Sequence, residues 1–250
     1  MRAMDRPTAD ECAARWRAFG ESLGTAGGVS AGSVAGAVLQ GVFQDLDRRY
    51  REAHRYYHDW AHVLACLREL EEVRNLSPHP QALELAIWFH DAVYDPGGPD
   101  NEERSAELAG RAAARLGLHG LLAAETRELI LATRHLAARR GGGGQPAGPG
   151  AAEEPPRTCA QDEALMLDID LAIFGKPREV FDRYEEGIRL EYQSVPPESR
   201  RRARLGILQS FLDRPAIYHT SHFRRCYEKA ARENLRRSVA ALKAGAAPPP

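Results

Sequence analysis

Histidine and aspartate recur in this chain at spacings that suit metal chemistry. His90 and Asp91 are adjacent in ALELAIWFHDAVY, His58 and His62 lie in HRYYHDWAHV, and Asp168 and Asp170 lie in ALMLDIDLAIFG. An ionised carboxylate among apolar side chains is strongly destabilising unless it is paired or coordinates a cation. Asp91 therefore needs a compensating partner, and so does at least one of Asp168 and Asp170. Each residue alone has a structural reading: an arginine partner for Asp91, a helix-end charge for either downstream acid, a hydrogen-bonded core histidine for His62. Three such anomalies on separate segments supply two imidazoles and two carboxylates. That mixed set suits a divalent cation such as Mn, Fe, Co, Ni, Zn or Mg rather than a thiolate-selective site.

Helices must carry these residues. Apolar residues at helical spacing predict helices over 11–23 and 34–50, then one opened by Asp59 as N-cap and carrying Val63, Cys66, Leu67, Leu70 and Val73. Pro80 suits the first turn of a helix over 80–94, ended by Asp95-Pro96-Gly97-Gly98. That helix is apolar on nearly every side, which marks it as buried. Asp100 with Glu103 reads as a capping box for a helix over 105–116, and 121–138 follows. Helical pattern resumes over 161–174 with Gly175 as its stop, then over 177–193, 196–213 and 221–242. No period-two strands and no repeats occur. The expected fold is an all-α irregular helical bundle, one domain over 1–250, with a flexible Gly/Pro-rich insertion at about 139–158 and a frayed tail from about 244. Asp168 and Asp170, two apart on one helix, point in nearly opposite directions, so one can face a site while the other finds a cap, an arginine or solvent.

Bulk properties narrow the class. A net charge of -1 over 250 residues provides no basic field for nucleic acid. The basic helices around Arg200–Arg204 and 222–237 read as solvated faces. Cys12, Cys66, Cys159 and Cys226 form no C-x-x-C pair. With no apolar run of membrane length and no signal-peptide pattern, the expectation is a cytoplasmic protein without a membrane partner.

The order His…His-Asp…Asp, each part in helical context, resembles the HD-domain superfamily. Within it the chain looks most like a subgroup described as predicted metal-dependent phosphohydrolases. The resembling segments are HRYYHDWAHV, LAIWFHDAVYDPGGPDNEERSA, LATRH, LDIDLAIFG, IRLEY, ILQSFLDRPAIYHT and ARENL, spanning about 54–235. Carried over residue by residue, the resemblance puts the metal ligands on His62, His90, Asp91 and Asp168. It prefers His62 to His58 because the family's first ligand is followed by Val or Ile. It implies hydrolysis of a phosphate ester or anhydride, with nucleotides the leading substrate class and Asp91 catalytic. His135 in LATRH is the accompanying candidate for a phosphate contact or proton shuttle. Arg55, His58, Lys176 and Arg189 are candidate substrate contacts, and Glu102 and Glu103 could orient water or simply start their helix. The competing expectation is a non-catalytic regulatory module that binds metal through the same residues.

Overall fold

The structure is a computed structural model that describes residues 9–27, 33–134 and 159–245. Among the described residues ten α-helices follow one another: α1 Ala9–Gly27, α2 Ser33–Tyr50, α3 Trp60–Val73, α4 Pro80–Phe89, α5 Asn101–Arg115, α6 Leu121–Ala132, α7 Ala160–Asp170, α8 Arg178–Glu191, α9 Pro197–Leu212 and α10 Ser221–Lys243. No strand occurs among the described residues, so the all-α expectation holds. His135, the Gly/Pro-rich stretch at 139–158 and the tail beyond 245 lie outside them. No helix among the described residues is long and apolar enough to cross a membrane.

The bundle is organised around α4. Every residue from Ala82 to Phe89 is buried, and the helix packs against α3, α5, α6 and α7. Trp88 sits between Trp16 of α1 and Trp60 of α3, with ring centroids 5.2 Å and 5.9 Å away in edge-on geometry. Burying rings of this size supplies much of the hydrophobic driving force.

Four helices differ from the sequence reading; α7, expected over 161–174, ends at Asp170 and passes into a 3-10 turn over Leu171–Gly175. Instead of running to 94, α4 ends at Phe89, and the buried Arg55 guanidinium donates to the carbonyls of Asp91 (2.7 Å), Ala92 (3.2 Å) and His58 (2.9 Å). Basic side chains commonly satisfy carbonyls at helix C-termini, and here one arginine ties the end of α4 to the loop before α3. The Asp100–Glu103 capping box does not form: Asp100 makes no capping bond, Asn101 pairs with the backbone of Asp95, and Glu103 binds Arg134 at 2.5 Å. Helix α6 stops at Ala132, where the Thr133 hydroxyl donates to the Ile130 carbonyl at 2.7 Å. The cap at Asp59 is as expected, its carboxylate accepting from the Ala61 amide at 2.8 Å.

Candidate metal centre

Helix α3, started by Asp59, turns His62 and Cys66 onto its inward face one turn apart. His90 and Asp91 follow the last residue of α4, and Asp170 is the last residue of α7. These ends converge. The two Nε2 atoms of His62 and His90 are 3.0 Å apart. Asp91 Oδ2 lies 3.3 Å from His62 Nε2 and 3.1 Å from His90 Nε2, while Asp170 Oδ1 lies 3.2 Å and 3.6 Å from the same atoms. Donors bonded at about 2.0–2.1 Å to one ion stand roughly 2.9 Å apart along octahedral edges and 3.4 Å along tetrahedral ones. These spacings lie near such edges, and one donor atom each from His62, Cys66, His90 and Asp170 lies within 4.8 Å of the others, so the cluster could hold a metal ion.

The cluster's protonation chemistry points the same way. His90 Nδ1 lies 2.9 Å from the Ile87 carbonyl, so the proton belongs on Nδ1 and the Nε2 lone pair faces the cluster, the usual support for a metal-ligating histidine. Burial pushes both imidazoles down. For His62, the neighbouring Cys66 and Tyr57 and hydrogen bonds to Asp170 and Asp91 outweigh burial and hold it well above its ordinary value. For His90, the charge of Asp91 and bonds to both carboxylates do so. Burial pushes Asp91 up, but the charges of His90 and His58 and bonds to the two rings hold it well below the carboxylate range. Such a site stabilises positive charge. One divalent ion would neutralise both carboxylates and leave both rings neutral for ligation. His62 and His90 are buried, whereas the Asp91 and Asp170 side chains are 20% and 17% exposed, so solvent reaches the carboxylate side.

A buried carboxylate holds the wall of the site. Glu191, the last residue of α8, accepts through Oε1 from the successive amides of Tyr56, Tyr57 and His58 at 2.8–2.9 Å. Its Oε2 takes His58 Nδ1 at 2.6 Å and the Tyr94 hydroxyl at 3.0 Å. Burial pushes the Glu191 carboxyl up, but the His58 charge and these bonds outweigh it and bring it down to about 2. Gly187, one turn earlier, permits the approach: a Cβ there would meet Tyr57 Cβ at 3.0 Å and the Tyr56 carbonyl oxygen at 3.2 Å. The His58 ring stacks on Tyr94 (4.2 Å) and meets the His62 ring edge-on (5.9 Å).

Of the residues named from the sequence, His62, His90 and Asp91 come together and His58 lies beside them. Asp168 does not join them. Its carboxylate is fully buried and accepts from the His219 amide (2.7 Å), His219 Nδ1 (3.1 Å), the Thr220 amide (2.7 Å) and the Thr220 hydroxyl (2.7 Å), anchoring the start of α10. Asp170 lies beside the two imidazoles instead. Arg55 is consumed by backbone carbonyls, Lys176 by Glu69 and Tyr227, and Arg189 by Glu186 at 2.6 Å on the surface, so none of the three is turned to the cluster. Sequence reasoning missed Cys66 and Glu191, and the resemblance picked Asp168 where Asp170 lies beside the rings. Asp170 was legible as one of two choices. Cys66 had a signal in its four-residue spacing from His62, while Glu191, inside IRLEY, had none beyond being an acid at a helix end. No family model, curated protein or solved structure matches the chain.

Proposed function

We propose that this protein is a metal-dependent phosphohydrolase that cleaves a phosphate ester or anhydride, with nucleotides as the leading substrate class. The observation that carries the reading is that Asp91 Oδ2 and Asp170 Oδ1 each lie 3.1–3.6 Å from the Nε2 atoms of His62 and His90, which are 3.0 Å apart, with solvent on the carboxylate side. The His…His-Asp…Asp order and its resemblance to HD-domain phosphohydrolases supply the reaction class, which geometry alone does not choose. When bound, a divalent cation supplies Lewis-acid polarisation of a phosphoryl oxygen and acidifies water. The chain's own residues do the rest. His62 and His90 would fix the ion's position and Asp170 and Asp91 would neutralise its charge, both carboxylates lying on the side that solvent and substrate reach. His58, with Nδ1 held by Glu191, keeps Nε2 for hydrogen bonding to a phosphate oxygen.

The test is a hydrolysis screen on chelated and metal-reconstituted protein. It uses p-nitrophenyl phosphate, its bis ester and nucleoside mono-, di- and triphosphates, with Mn, Fe, Co, Ni, Zn and Mg in turn. Turnover should require metal and vanish in Asp91→Ala. Metal-loaded protein inactive on every phosphate would leave the non-catalytic regulatory module as the better reading.

A further inference from the structure

Cys66 occupies a place that a purely nitrogen and oxygen site does not require. It is buried, one helical turn beyond His62, with Sγ 3.7 Å from His62 Nδ1 and 3.8 Å from Nε2. One donor atom each from His62, Cys66, His90 and Asp170 all lie within 4.8 Å of one another. A thiolate and an imidazole sharing one tetrahedral zinc, with bonds of about 2.3 and 2.0–2.1 Å, stand roughly 3.6 Å apart. The observed 3.8 Å to Nε2 is close to that edge.

We propose that Cys66 is a thiolate ligand of the ion, which makes the centre selective for a thiophilic or borderline cation, Zn, Co or ferrous iron, over Mg and Mn. The inference rests on the reading of the cluster as a metal site and deepens it. Buried cysteine is often only a small apolar filler. Here, however, its sulfur shares the inward face of α3 with one imidazole and lies among three other donor groups, not among hydrocarbon alone. On ligation the S–H bond breaks, the proton leaves to solvent and the sulfur lone pair forms the bond to the ion, with no change in oxidation state. A thiolate in the set discriminates by softness, against the hard cations that oxygen ligands favour.

The experiment titrates the chelated full chain with cobalt(II) and records its absorption. Wild type should develop visible d–d bands together with a near-ultraviolet thiolate-to-cobalt charge-transfer band. In Cys66→Ala the d–d bands should persist and the charge-transfer band should disappear. The same substitution should weaken zinc binding by at least the roughly 10–100-fold that loss of a metal's supporting partner brings, with magnesium binding unchanged. Should that variant fail to fold, zinc-edge X-ray absorption of wild type decides alone, a sulfur shell at about 2.3 Å supporting the proposal. Cobalt d–d bands in wild type without charge transfer, a charge-transfer band surviving in Cys66→Ala, or a zinc spectrum with only nitrogen and oxygen scatterers would overturn the thiolate while leaving the metal site standing. Wild type that binds neither cobalt nor zinc would overturn both.

Discussion

Asp168 and Asp170 sit two residues apart on α7, in the same apolar stretch, and stabilise the molecule by opposite routes. Asp168 is compensated from within: four hydrogen bonds from His219 and Thr220 surround it, two of them from backbone amides at the start of α10. Asp170 is turned towards two imidazoles that Asp91 also approaches. Two carboxylates converging on the same pair of rings help to hold both imidazoles well above their ordinary value, and a divalent cation could take the place of those protons. Burial of an acid therefore does not by itself mark a ligand. What marks it is whether the compensating groups are hydrogen-bond donors or other potential ligands.

The sharpest way to break the comparison is to remove each acid in turn. Asp168→Ala strands several buried donors and should destabilise the fold by about 3–5 kcal/mol, equally with metal and after chelation. Urea denaturation under both conditions reads this directly. A loss under 1 kcal/mol would mean that Asp168 does not anchor α10.

Glu191 belongs with Asp168 as an internally compensated acid, and its effect depends on pH. Its folded-state carboxyl lies at about 2 against an ordinary 4.5. A depressed folded value gives stability that is present above the unfolded value and lost as pH falls through the folded one. The stability gap between wild type and Glu191→Gln should thus hold at about 3 kcal/mol at neutral pH. It should close between pH 4.5 and about 2. A gap that is flat with pH would remove the charge from the argument. Gly187→Ala, which pushes a Cβ against the Tyr56 carbonyl, should cost about 1–3 kcal/mol in a denaturant melt. A neutral result would show that the approach of α8 is not tight. The smallest effect is Asp59→Ala, where loss of the α3 cap should lower stability by about 1 kcal/mol, readable as a small downward shift of the thermal midpoint.

Much of this was legible in the sequence because burial and helical periodicity are local signals. The apolar run around His90 and Asp91 announced both the central helix and the anomaly inside it. The Asp59 cap followed from residue type alone. The choice between Asp168 and Asp170 was not legible, because the polar residues of α7 are spread around the helix and gather on no one face to orient it. What separates them is the start of α10, some fifty residues downstream, whose amides claim Asp168. Arg55 misled for a related reason. A cation beside a proposed phosphate site reads as a substrate contact until the early end of α4 supplies carbonyls that claim it.

The central claim is that Asp170, with His62, His90 and Asp91, holds one divalent ion, and zinc affinity measured by chelator competition on Asp170→Asn tests it most directly. Wild type should bind about one ion per chain. The variant should bind it at least 10–100-fold more weakly, with the far-ultraviolet circular dichroism of the two chelated forms unchanged. An Asp170→Asn protein that binds zinc as tightly as wild type would contradict the account.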